Sequence, residues 1–170
     1  MSLVKCGLLD PWCPVGRGVI TEHVVYTVLG DCFKCNTYDN FNAPYDLISK
    51  KYGIINVKSG TLYKRNYGAY TWSFNIKEHQ YIPDYYICVG FDENYNNIIK
   101  VWIIPGKSYV VGKYSISITK SENGLKRVKQ YEIDAAQYDY IYQTFDILDL
   151  PEFRNLDLLQ YESFLRTLPF

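Results

Sequence analysis

Residues 43–59 read APYDLISKKYGIINVKS, and the architecture of the chain turns on how this stretch pairs with itself. Its composition predicts two short β-strands, 45–49 and 53–59, joined by a tight polar turn. Strand side chains alternate between faces, so Ile54, Asn56 and Lys58 lie on one side of the second strand, with Ile55 and Val57 on the other. A register that sets Asp46 opposite Asn56 or Lys58 gathers a carboxylate, a carboxamide and an ammonium on one face. A slip of one residue sends Asp46 to the other face. Such a cluster suits a hard cation such as magnesium: the carboxylate is a natural ligand, and the ammonium can hold a water or stabilise charge developing on a phosphate.

An aspartate on one strand, a hairpin of about ten residues, and an acidic-x-lysine pattern on the next strand together make a known signature. The stretch from Asp46 to Lys58 resembles that signature, the active site of the PD-(D/E)XK, or restriction-endonuclease-like, nuclease superfamily. The resemblance implies that Asp46 is a metal ligand, that Asn56 takes the second acidic position, and that Lys58 is the lysine that assists the attacking water. Asn56 departs from the pattern. An amide oxygen coordinates a cation but brings no negative charge, so either the metal binds more weakly or another carboxylate compensates. Similar nucleases often place a glutamate on the helix before the motif, and here that residue is Glu22. The fold implied is α/β: a restriction-endonuclease-like core over about residues 17–105, with a mixed central sheet flanked by helices. A C-terminal strand and helix extension covers about 106–170. The cofactor implied is Mg or Mn and the substrate DNA. A second departure is the short space between Ile76 and Asp84, where the family has a longer crossover helix.

The 170 residues, 48% of them hydrophobic, suffice for one domain with a substantial core and are too few for two complete ones. Aromatic residues make up 17%, with 18 tyrosines, which favours strands and offers surfaces able to stack on bases. There is no apolar run long enough to span a bilayer, and Asp10, Pro11 and Pro14 break the N-terminal apolar pieces, against a signal peptide. A cytoplasmic protein with no membrane partner is the expectation.

A net charge of zero conceals a strong asymmetry. Residues 1–49 carry 3 basic and 5 acidic side chains, residues 50–129 carry 13 and 5, and residues 130–170 carry 2 and 8. The basic central block, with Lys64, Arg65, Lys107 and Lys113 among its cations, fits contact with a phosphate backbone. Charge alone fits an ordinary solvated surface equally well. The hairpin motif tips the balance to DNA.

Along the chain, residues 1–18 read as irregular, and 17–29 have helical spacing, with Ile20, Val24 and Val28 four apart and Gly30 as the stop. Glu22 sits at the edge of that apolar face. Cys32 and Cys35 have the spacing of a zinc-gripping pair, to which Cys6 and Cys13 could add two thiolates; small buried residues in a reducing compartment are the commoner meaning of such cysteines. Cys88 reads as core. TLYKRNYGAY is a polar loop able to approach a groove, and TWSFNI alternates as a third strand. DYYICVGFD and KVWIIPG read as central strands covered on both faces, with Asp84 and Asp92 as strand-end carboxylates unconnected to the hairpin. GKYSISITK predicts a strand, SENG a turn, and RVKQYEI a further short strand. Helical spacing returns at 135–148 and 156–168, the last helix presenting an apolar face that serves either as a cap over the core or as a homodimer contact.

His23 and His79 are the only histidines, and no serine or cysteine stands in a triad context, so nucleophilic catalysis is poorly supported. Metal-assisted hydrolysis is the best enzymatic reading: Asp46, Asn56 and Glu22 around the ion, with Lys58 beside it. The chain thus reads first as a Mg-dependent endonuclease acting on DNA. A catalytically silent DNA-binding or interaction module on the same fold and a zinc-stabilised structural protein are the alternatives.

Overall fold

The computed structural model describes residues 14–35, 45–76, 82–109 and 114–146. Helix α1 (Pro14–Leu29) begins three residues before the spacing predicted. Proline is favoured in a first turn because its missing N–H would have had no intrahelical partner. Gly30 ends the helix at φ +70, its N–H bonding back to the Tyr26 carbonyl.

Strands β1 (Cys32–Lys34), β2 (Leu47–Ser49) and β3 (Gly53–Thr61) form an antiparallel meander. The chain then leaves for a second sheet through β4 (Tyr63–Lys64) and β5 (Tyr70–Asn75). It returns as β6 (Tyr85–Phe91), which pairs parallel to β3, and β7 (Ile98–Pro105), antiparallel to β6. A single helical turn, α2 (Gly106–Tyr109), precedes β8 (Ser115–Thr119), which joins β5. Helix α3 (Glu122–Val128), the two-residue β9 (Glu132–Ile133) against β7, and α4 (Ala136–Thr144) follow. The result is an α/β fold around a mixed six-stranded sheet ordered β1-β2-β3-β6-β7-β9, with a three-stranded sheet β4-β5-β8 beside it.

The central sheet is buried from both sides by different partners. On one face Leu47, Ile55, Ile87 and Val89 pack in one cluster with Ile20, Val24 and Val25 of α1 and Tyr138 and Tyr142 of α4. On the other face Tyr86, Cys88, Trp102 and Ile104 meet Trp72, Phe74, Ile116 and Ile118 of the second sheet. This double cover explains why β6 is a continuous apolar run. Each of these large side chains gains about 1.5–3 kcal/mol from full burial, so both faces are strongly specified. Contact between the two sheets needs glycine at two points. A Cβ on Gly60 would lie 3.0 Å from the Ser73 carbonyl, and one on Gly90 would lie 3.0 Å from Trp72 Nε1. The Trp72 indole instead donates to the Phe91 carbonyl at 2.9 Å.

Three expectations change. TWSFNI is a strand whose alternation buries Trp72 and Phe74, but it belongs to the second sheet. Period-two alternation reveals a strand's inner face and says nothing of its partner. SENG is no turn: Ser121 caps α3, its Oγ accepting from Gly124 N–H at 3.1 Å, and of the segment read as a strand α3 takes Arg127 and Val128 and a 3-10 turn takes Lys129–Tyr131, leaving only Glu132–Ile133 extended. Asp84, read as remote from the hairpin, reaches it through the parallel β3–β6 pairing and accepts from Ile54 N–H at 2.9 Å. Cys6, Cys13, Lys113, His79 and the segment 156–168 lie outside the described residues. No helix among the described residues is long and apolar enough to cross a membrane.

Candidate active site

The β2–β3 turn fixes the register that decides the site. Ser49 Oγ accepts from the N–H groups of Lys51 and Tyr52, both at 3.1 Å, and itself donates to the Asp31 carboxylate at 3.0 Å. Asp31 also accepts from Lys51 N–H at 3.0 Å. Desolvation works against ionisation of Asp31, but the hydrogen bonds from Lys51, Cys32 and Ser49 outweigh it and hold its carboxyl below the usual value. Gly53 has φ +74, and a Cβ there would collide with the Asp84 carboxylate, so no other residue fits this corner.

From this anchor Leu47 pairs with Ile55 and Ile48 with Ile54. Asp46, at the bend just before β2, lies outside the registered pairs: its N–H bonds at 3.1 Å to the carbonyl of Ile55, already the partner of Leu47, so the ladder is irregular there. Its Oδ2 accepts from Val57 N–H at 2.7 Å, a charge-assisted bond that fixes the carboxylate against β3. Asn56 is the registered partner of Tyr86, and Lys58 of Cys88, so both project to the face covered by the second sheet. Asn56 and Lys58 therefore share one face, Lys58 about 6.6 Å beyond Asn56 along the strand, and the Asp46 carboxylate meets β3 between them, at the Val57 N–H.

Two features give this face its chemical character. Asn56 Oδ1 is a buried acceptor without a hydrogen-bond partner, a condition that ordinarily costs about 1–3 kcal/mol and calls for an explanation. Lys58 makes no hydrogen bond or ion pair among the described residues, so its ammonium is uncommitted. Its charge is felt by Cys88, whose thiol burial pushes far up and Lys58 pulls part of the way back.

Glu22 arrives from the opposite layer. It is 8% exposed on α1, which packs against the Leu47–Ile55 face. Its link to the site runs through Cys35, the residue after β1, whose N–H donates to the Asp46 carbonyl at 2.8 Å. Burial first, then the Asp46 and Glu22 carboxylates, push the Cys35 thiol upward. Both carboxylates thus lie near one sulfur. Sequence reading did not associate Cys35 with the site, and no spacing rule could have done so; its place follows from β1 pairing with β2.

The chain matches no protein-family model and no curated protein.

The remaining candidates separate. Cys32 packs with the α1 layer and its thiol donates to the Asp31 carboxylate, whereas Cys35, just beyond β1, feels the Asp46 and Glu22 carboxylates. Burial, followed by the Asp31 carboxylate, pushes the Cys32 thiol up to about 11. Lys64 and Arg65 are exposed at the end of the β4–β5 hairpin, whereas Lys107 is exposed on α2, beside the opposite end of β6. Among the described residues no three of His, Cys, Asp and Glu are grouped to hold a metal ion. A cation beside Asn56 would therefore be held by the Asp46 carboxylate and the Asn56 amide oxygen, with water completing the shell; Glu22, on α1 against the other face of the sheet, is not brought to Asn56. That donor set fits magnesium, which keeps several waters and needs only one or two carboxylates.

Proposed function

We propose that the protein is a metal-dependent endonuclease of the restriction-endonuclease-like kind, hydrolysing phosphodiester bonds in DNA. The observation that carries this reading is that the N–H of Val57, between Asn56 and Lys58, holds the Asp46 carboxylate, while Asn56 Oδ1 is a buried oxygen with unused lone pairs. A helix followed by an antiparallel hairpin and a strand parallel to its second arm agrees with the implied core. The connection between β3 and β6 carries β4 and β5 where that family has a helix.

Asp46 supplies the anionic ligand, and its bond to Val57 N–H keeps one oxygen fixed and the carboxylate oriented. Asn56 would contribute a neutral oxygen already stripped of water. A bound magnesium or manganese supplies Lewis acidity, polarising a phosphoryl oxygen and making a bound water easier to deprotonate. Lys58, uncommitted within the described residues, orients the attacking water and meets the charge that grows on the phosphate. A nearby cation of this kind stabilises the transition state more than the ground state, so its removal lowers turnover rather than affinity.

The test is cleavage of supercoiled and linear duplex DNA with magnesium or manganese against a chelator control. Lys58→Ala abolishes cleavage while duplex binding survives, and binding weakens steeply with salt as phosphate contacts release counterions. Asn56 also supports a second reading, a silent DNA-binding module, because the missing acidic charge falls at the position the chemistry most depends on. Binding without cleavage by the wild type under every metal condition decides for that reading. Equal cutting by wild type and Lys58→Ala places catalysis elsewhere.

A further inference from the structure

We propose that the β4–β5 hairpin is a base-reading ribbon that enters the major groove, with Asn66 at its tip selecting adenine and Tyr67 making the adjoining apolar contact. This rests on the reading of the chain as a DNA-cutting enzyme and adds the element that chooses the sequence.

The hairpin is built to stay rigid while presenting its tip. Arg65 N–H donates to the Ala69 carbonyl at 2.8 Å and Gly68 N–H to the Arg65 carbonyl at 2.9 Å, with Gly68 at φ +82 completing the turn. The Arg65 guanidinium is drawn back over the second sheet, donating to Ser117 Oγ at 3.3 Å, and so braces the ribbon. Asn66 is exposed and makes no bond within the protein, and Tyr67 is 97% exposed. An aromatic ring so completely in water, on an ordered turn, contributes nothing to the core. Tyr63, on β4 of the same hairpin, is also exposed.

Charge complementarity names the partner. Residues 47–77 hold six basic side chains and not one acidic group, so the arm and the hairpin leading into it repel anions nowhere along their length. A two-stranded β-ribbon matches the width of the major groove, and asparagine pairs bidentately with adenine N6 and N7. The reach is also appropriate. Asn56 and Asn66 are ten residues apart along the chain, so at about 3.3 Å per residue they lie no more than roughly 33 Å apart, about one turn of B-DNA.

The experiment selects duplexes containing a randomised stretch of 14 base pairs, about one and a half helical turns, for binding to the wild type and to Asn66→Ala, and maps the cut on the enriched sequences. The expected result is an adenine preference at one position within about ten base pairs of the cleaved phosphate. Asn66→Ala loses that preference, and its affinity for the selected duplex falls about tenfold or more while its affinity for unselected duplex changes little. Because Asn66 is exposed and unbonded, an unchanged melting temperature is the folding control. An adenine preference that persists in Asn66→Ala, or a wild type that cuts DNA with no base preference, overturns the ribbon and leaves the nuclease standing. Failure of the wild type to bind any duplex overturns both.

Discussion

Replacing Asn56 by aspartate puts a second carboxylate one residue from Val57, whose N–H holds the Asp46 carboxylate, and thereby measures how close the two side chains are. Side chains meeting across adjacent strands can bring their charges to about 5 Å. Two unit charges at about 5 Å in an effective dielectric of about 20 repel by about 3 kcal/mol. Partial exposure and salt reduce this to about 2 kcal/mol at moderate ionic strength. For a chain of this size that is a fall of about 4–8 °C in melting temperature without divalent cation. Protonation of the pair removes the repulsion, so the penalty is full above the carboxylate range and shrinks as pH falls through the raised pKa of the pair. Magnesium reverses the sign of the effect. At a hundred times its dissociation constant a cation that binds only the folded form adds about 2.7 kcal/mol, and the aspartate variant, with one more anionic ligand, gains more from it than the wild type. The assay is thermal unfolding of both proteins in chelator and in a magnesium series, with cleavage measured in parallel. An aspartate variant as stable as the wild type in chelator, with no larger response to magnesium, would falsify the proximity of Asp46 and Asn56 on which the site depends.

Two other outcomes are expected. Gly90→Ala drives a methyl to 3.0 Å from Trp72 Nε1 and 3.1 Å from the Trp102 ring; overpacking of this sort costs about 1–3 kcal/mol, and an unchanged denaturant midpoint would refute the tight seam between the two sheets. Cys32, with its thiol held near 11, is protonated at pH 8.5 and becomes a thiolate only as pH rises through that value. Peptide-mapped alkylation at pH 8.5 should therefore run about a hundredfold slower than for a model thiol of pKa 9, and a rate equal to the model thiol would contradict the burial beside Asp31.

The hairpin was legible from residues 43–59 because alternation fixes faces and the polar turn fixes the span. The same is true of β6 and β7, whose unbroken apolar runs announce strands covered twice, and of α1 and α4, whose spacing is helical. What escaped the sequence was partnership. Trp72 and Phe74 declare an inner face, yet only the paired glycines at 60 and 90 reveal that this face closes on a different sheet. Asp84 looked idle because its hydrogen bond to Ile54 arises from parallel pairing across thirty residues. Within the site, Asn56 and Lys58 could be grouped by parity alone, whereas Asp46 sits at a bend that alternation does not describe, and the layer α1 occupies sets Glu22 against the other face. Cys35 required the β1–β2 register, which no local pattern encodes. The α3 helix was missed for a different reason: Gly124 resembles a turn residue until Ser121 is recognised as its cap.

The turn between β6 and β7 holds buried Tyr95 at φ 57, a conformation that costs a side-chain-bearing residue about 1–2 kcal/mol. Asp92 fastens it locally, accepting from the N–H groups of Asn94 and Asn96 and from Asn97 Nδ2, and the Arg17 guanidinium donates to the Tyr95 hydroxyl. A second set of fastenings comes from much later in the chain. Asp139 accepts from Ile98 N–H at 2.8 Å, the Tyr142 hydroxyl donates to the Tyr95 carbonyl, and Gln143 Nε2 donates to the Asn96 carbonyl at 2.6 Å. During synthesis the last of these arrives 46 residues after Asn97, an interval of about 2–9 s at ordinary translation rates. Through that interval a nascent chain can pair β6 with β7 but lacks the α4 fastenings of the strained corner between them. Ribosome-bound chains halted before residue 139 should accordingly be cut by protease at 92–97, and those released after residue 146 should resist, making α4 the step that commits the α1-covered face to its final packing.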